Sequence, residues 1–170
     1  MAAVEVRFRV DNFSVDNLEQ VALLFENFDA TASRICESTV VTLGVELPAG
    51  AAALDKLRHE IAQVESIVGL RAIEIDLDLV DEGEIAQRLG KSRQAINMLV
   101  KGERGRGDFP LPYALPGGRR IWTWAEIARW IRQHKQQWDD ATEPNHLLRE
   151  QQRELSAWLT LRTTATQPAG

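Results

Sequence analysis

The sequence predicts an α+β fold in two units, and three observations predict it. Residues 1–80 switch between a hydrophobic period of 2 and a helical period in the order β-α-β-β-α-β. Residues 84–102 hold two short amphipathic helices broken at Gly90. Proline and glycine then cluster at 107–118, ahead of a tryptophan-rich helix. The chain has 170 residues, 44% of them hydrophobic, and no low-complexity tract, which fits one ordinary folded domain or two small ones.

In order, Val4, Val6, Phe8 and Val10 alternate with Glu5, Arg7 and Arg9, the pattern of a half-buried strand. Residues 16–28 place Leu18, Val21, Ala22, Leu24, Phe25 and Phe28 at helical spacing. Residues 30–47 are rich in Thr, Val and Ile, put Val41, Leu43, Val45 and Leu47 on one face, and are long enough for two strands. After Pro48 and Gly50, a second helix carries Leu54, Leu57, Ile61, Val64 and Val68 and stops at Gly69. A last strand is expected to alternate Ile73, Ile75, Leu77 and Leu79 against an outward acidic row of Glu74, Asp76 and Asp78. This order is that of a ferredoxin-like sandwich. The unit has no Gly-rich phosphate loop and no nucleophile beside a base, so homodimerisation, sensing of a small molecule and docking of a protein ligand all stay open for it. The acidic row reads as a solvated face rather than a cation site. His59, between Arg58 and Glu60, reads as a surface residue.

The stretch EIAQRLGKSRQAINMLVKG, residues 84–102, is the most informative in the chain. Ile85, Ala86 and Leu89 form the stripe of one helix; Ala95, Ile96, Leu99 and Val100 form the stripe of the next. Small Ala86 lets the two helices approach, Gly90 accepts the left-handed backbone of a tight turn, and Ile96 fills the joint. Ser92 suits the N-cap of the second helix, residues 92–101, because its hydroxyl accepts a free backbone N–H. Two short helices so joined make a helix-turn-helix, whose second helix lies in the DNA major groove. Gly102 to Gly107 is a flexible basic link. Phe109-Pro-Leu-Pro-Tyr113 favours extended backbone, Pro116-Gly117-Gly118 a turn, and Arg119 to Trp122 a return strand, giving a hairpin over 109–122. Thr123 is a candidate N-cap for a helix bearing Trp124, Ile127, Ala128 and Ile131, with Trp122, Trp124 and Trp130 as core pillars rather than stacking platforms for single strands. Pro144 to Arg162 is expected to be a final amphipathic helix with Leu147, Leu148, Leu155, Trp158, Leu159 and Leu161 on its apolar side, and 163–170 a frayed end.

The segment from about Val80 to Trp130 resembles the winged helix-turn-helix domains of small bacterial regulators and phage excisionase-type proteins. The residues that carry the resemblance are Glu84, Ile85, Ala86, Leu89 and Gly90, then Ser92, Arg93, Gln94 and Ala95, then Gly107, Phe109, Pro110 and Pro112, and finally Arg120, Trp122, Trp124, Glu126 and Trp130. Lys91 departs from it, since such domains often carry an aliphatic residue there. The resemblance implies DNA binding without naming a target. The domain plan is then 1–80 for the α+β unit, 81–136 for the winged helix-turn-helix, 144–162 for the last helix and 163–170 for the tail.

Charge supports the same partner. The net charge is −5, yet residues 1–80 hold 6 basic and 14 acidic side chains, a net −8, while 81–136 hold 11 and 6, a net +5. Only the segment with the motif is positive, and phosphate binding depends on local potential. Arg93, Gln94 and Asn97 are the candidates for base edges, since Arg suits guanine and Gln or Asn suits adenine. Lys91, Ser92, Lys101, Arg104, Arg106, Arg119 and Arg120 are the candidates for the DNA backbone. The expected function is a transcriptional regulator that reads double-stranded DNA, with tight operator binding requiring either a homodimer or a partner protein; the alternative is a protein-interaction adaptor using the same scaffold and the acidic first unit. No enzyme, cofactor or metal is expected, because Cys36 is the single cysteine and it shares no ligand spacing with His59, His134 or His146. No apolar run approaches the roughly 20 residues of a membrane helix. The start, MAAVEVRFRV, does not read as a signal peptide, so the expected location is the cytoplasm.

Overall fold

In the computed structural model, which describes residues 2–134 and 145–165, the first alternating stretch forms β1 (Ala2–Asp11). There follow α1 (Leu18–Asn27), β2 (Ala30–Ile35), β3 (Ser38–Leu47), α2 (Ala52–Val68) and β4 (Arg71–Ile75), so the chain is α+β and its first elements keep the expected order. The sheet runs β2-β3-β1-β4, with these neighbours antiparallel. Val4 opposes Val45, Val6 opposes Leu43 and Phe8 opposes Val41, which lines one face with branched and aromatic pairs. Leu57, Ile61, Val64 and Val68 of α2 are buried at helical spacing. The helix ends where Gly69 takes φ 77°, a left-handed value that costs glycine nothing.

The chain divides into two compact units, Met1–Asp76 with Pro144–Gly170, and Leu77–Glu143. The expected last strand is therefore corrected. It stops at Ile75, and Asp78, at φ 48°, turns the chain so that β5 (Leu79–Val80) joins a different, two-stranded sheet. A register shift opposite Arg9 and Val10 also changes the alternation within β4, so that Ala72 and Ile75 are the buried residues, and Leu79, in the other sheet, is exposed. The acidic row does not exist as a row: Asp76 pairs with Arg7 and Glu74 with Arg9, each at 2.8 Å, and Asp78 with Arg88 at 2.7 Å.

Two further expectations for the first unit change. Only Leu24 of α1 is buried; Leu18 and Phe25 are 80% and 52% exposed. The final helix is shorter at its start and longer at its end: α6 spans Arg149–Ala165, and β7 (Asn145–His146) precedes it, pairing in parallel with Val4 and Glu5 of β1. The Asn145 amide donates to the Ala3 carbonyl at 3.0 Å, which holds these residues extended. Pro144, proposed as the first helical residue, and 166–170 lie outside the described residues. Leu147, Leu155 and Leu159 are buried, whereas Leu148 and Leu161 are exposed. This helix belongs to the first unit, packing on β4 and α2. His59 is exposed, as expected. Among the described residues no helix is long and apolar enough to cross a membrane.

The second unit contains β5, α3 (Glu82–Arg88), α4 (Arg93–Val100), β6 (Trp122–Thr123) and α5 (Trp124–Gln133). Its buried cluster joins Val80, Ile85, Ala86, Ile96, Leu99, Trp122, Trp124, Ile127, Ala128, Trp130 and Ile131. All three tryptophans expected as pillars are buried. Residues 135 and 136, the end of the expected domain, lie outside the described residues.

Candidate nucleic-acid interface

The local chemistry of α3 and α4 sets their geometry. Asp81 caps α3, its carboxylate accepting the N–H groups of Gly83 at 2.8 Å and Glu84 at 3.0 Å, while the Asp81 N–H donates back to Glu84 at 3.1 Å. That reciprocal capping box satisfies donors that a helix start otherwise leaves open. Gly90 takes φ 59° in the turn, and the Lys91 N–H reaches the Ala86 carbonyl at 2.9 Å. Ser92 Oγ then accepts the Ala95 N–H at 3.1 Å, so its hydroxyl serves as the helix cap the sequence indicates. Ala86 and Ile96 are both buried at the joint.

The expected hairpin is present only in part. Ala114 and Ile121 form a single antiparallel bridge across a 3₁₀ turn at Pro116–Gly118. Residues 109–112 make no ladder, because Pro110 and Pro112 have no N–H to donate. The return strand pairs instead with β5, Val80 opposite Trp122 and Leu79 opposite Thr123. Thr123 caps α5 through Glu126 N–H. Pro110 still anchors the segment, since its carbonyl accepts the indole N–H of Trp122 at 2.9 Å. Phe109 packs edge-on against Trp122 and Trp130, with ring centroids 5.8 and 5.0 Å away.

The predicted base readers separate into two groups. Arg93 and Gln94 are exposed on the first turn of α4, and among the described residues neither side chain makes a hydrogen bond or ion pair. Asn97, one turn on, is half-buried and donates its Nδ2 to Glu82 Oε2 at 3.1 Å. The backbone candidates divide likewise. Lys101, Arg104 and Arg106 are exposed at the end of α4 and on the link after it, and Lys91 is exposed in the turn. Arg119 and Arg120 are instead held by carboxylates at the start of α3: Arg119 Nη2 lies 3.3 Å from Asp81, and Arg120 Nη1 lies 3.2 Å from Glu82.

Asp81 and Glu82 are site residues that the sequence does not single out. The Asp81–Glu84 spacing of a capping box is legible; the contacts of Glu82 depend on where the hairpin folds. With Arg93, Gly118, Arg119 and Arg120 the two acids line a cleft of about 170 Å³. The Glu84 backbone N–H acts most strongly on the Asp81 carboxyl and lowers its pKa below the ordinary aspartate value. Partial burial opposes that shift, while the Gly83 N–H and the charges of Arg119 and Arg93 add to it.

A second polar cluster fixes the link. Trp130 Nε1 donates to Asp108 at 3.2 Å, and His134 stacks on Trp130 with its Nε2 at 3.0 Å from the other Asp108 oxygen. Desolvation pushes the Asp108 carboxyl up, but the bonds from Trp130 and His134 outweigh it, and its pKa falls below the usual value. Arg88 bridges Asp78 and the face of Trp124, its guanidinium carbon 4.7 Å from the ring centroid. The surface around α4 thus carries exposed Lys91, Arg93, Lys101, Arg104 and Arg106, with the acidic pair Asp81 and Glu82 set against Arg119 and Arg120. No protein family, curated protein or solved structure matches the chain.

Proposed function

We propose that this chain is a sequence-specific double-stranded DNA-binding protein that regulates transcription, and that its second unit is a winged helix-turn-helix. The observation that carries the reading is the division of α4, with Ile96 and Leu99 buried while Arg93 and Gln94 stand exposed, their side chains without hydrogen bonds or ion pairs among the described residues. A helix anchored on one side and offering guanidinium and amide groups on the other suits the edges of guanine and adenine in the major groove. The 109–122 segment is the wing in this reading, supported by the Ala114–Ile121 bridge and the turn at Gly117 and Gly118. Lys91, Lys101, Arg104 and Arg106 contact phosphates, which fix register without reading sequence. Repression, activation and excisionase-like bending all use these contacts.

The first unit is read as ferredoxin-like, on the strand order β2-β3-β1-β4 with two helices between the strands. Its proposed role is to pair two copies so that their readers meet half-sites about one DNA turn apart, or to bind a small molecule or protein that controls the reader. The protein acts in the cytoplasm, with no cofactor and no catalytic step. A titration of purified protein with short random-sequence duplex at about 50 and 200 mM salt tests the reading, since phosphate contacts release counterions and affinity then falls with salt. Binding that ignores salt, or none at either salt, refutes it. Exposed Leu18 and Phe25 on α1 favour one second reading, an interaction adaptor that docks a protein partner through the first unit.

A further inference from the structure

Glu82 occupies an unusual position between the two parts expected to touch DNA. Its side chain is 14% exposed, with Oε2 accepting from Asn97 on α4 and Oε1 accepting from Arg120 beside the hairpin turn. One carboxylate therefore ties a base-reading candidate to a backbone-contacting one. A carboxylate can only accept, so the Asn97 group facing it is the NH₂. That fixes the amide: Oδ1 and the second Nδ2 hydrogen are left without a partner among the described residues. An acceptor beside a donor is the pattern that pairs with adenine N6 and N7. The same carboxylate adds a negative charge close to the phosphates and competes with them for Arg120.

We propose that Glu82 is a positioning residue that sets sequence preference at the expense of affinity, by orienting the Asn97 amide and withholding Arg120. The proposal rests on the DNA-binding reading above and adds a specificity determinant to it. Its signature is a pair of opposite changes. In Glu82→Gln the neutral amide both donates and accepts, so Asn97 is free to flip, and Arg120 loses its charged partner. Random-sequence duplex should then bind about threefold tighter, because one repelling charge is gone and one arginine is released. Preference for adenine at the position read by Asn97 should fall by about tenfold, within what one bidentate contact supplies.

The experiment is selection of wild type, Glu82→Gln and Asn97→Ala against a randomised duplex pool, with sequencing of bound species, alongside titration of the unselected pool. Asn97→Ala should lose the same preference without the gain in pool affinity, and it tests the orientation even where Glu82→Gln folds poorly. Weaker binding of Glu82→Gln to pool and selected duplex alike would mark a merely structural role and overturn the proposal. So would an unchanged preference in either variant. If wild type selects sequences normally, these outcomes sink the role of Glu82 alone; if wild type binds no duplex, the DNA-binding reading falls and takes this one with it.

Discussion

Replacing Arg104 and Arg106 together by alanine gives the cleanest measure of phosphate contact. Both lie on the exposed link after α4, and among the described residues neither side chain makes a hydrogen bond or an ion pair. Their removal therefore leaves no carboxylate orphaned and no core disturbed. Arg119 and Arg120 are poorer probes, because truncating them exposes Asp81 and Glu82 to the DNA. Each phosphate contact contributes about 0.9 to the slope of log affinity against log salt, so the double variant should flatten the slope by about 1.8. Between about 50 and 200 mM salt the affinity deficit of the variant should then shrink by roughly 12-fold, which is fourfold salt raised to that power. Fluorescence anisotropy with a labelled random duplex reads both quantities. Arg153→Ala, an exposed arginine of α6, is the control and should leave the slope unchanged. An unchanged slope in the double variant, or an equal change in the control, would refute the placement of DNA along this face.

Other substitutions test the foundations of the site. Ile96→Ala empties a fully buried position at the helix joint and should cost about 2–5 kcal/mol in denaturant unfolding of the second unit; a cost below about 1 kcal/mol would mean the joint is not packed as described. Asp81→Ala removes a capping box and should cost about 1 kcal/mol. Because its folded pKa is depressed, the Asp81 contribution is complete above the unfolded value near 3.8 and disappears as pH falls through the lower folded value. The stability gap between wild type and Asp81→Asn should accordingly close in strong acid, and a gap that persists there contradicts the assignment. In the first unit, Leu24→Ala should cost about 2–5 kcal/mol and Phe25→Ala less than about 0.5, since only Leu24 is buried; thermal melts that rank them otherwise would invert the packing of α1.

Where period and punctuation act together, the chain is legible before folding. The strand of Val4 to Val10, the helix ending at Gly69, and the two short helices α3 and α4 with the Ser92 cap all follow from residues within one or two turns of each other. Ala86, Gly90 and Ile96 announce a close helix pair because each solves a local steric problem. The misreadings have non-local causes. Ile73 to Leu79 alternates well enough for one strand, but the left-handed turn at Asp78 sends Leu79 and Val80 to pair with Trp122 and Thr123 more than 40 residues away. Phe25 repeats at helical spacing without being buried, because periodicity describes a face and not what covers it.

Charge shows the same division between what counting reveals and what folding decides. The positive segment includes Arg119 and Arg120, two guanidinium groups whose nearest charged neighbours are carboxylates. Their charge is offset by Asp81 and Glu82, and on the proposed reading any phosphate they took would replace those partners at little net gain. By contrast, Lys101, Arg104 and Arg106, whose side chains make no ion pair among the described residues, would on the same reading meet phosphate with no such exchange. The attraction for DNA would then come from α4 and the link after it, and the hairpin arginines would act through geometry. On the proposed reading, neutralising Glu82 shifts them toward attraction, which is why affinity and preference should move in opposite directions there, whereas loss of a phosphate-contacting arginine should lower affinity and leave preference unchanged.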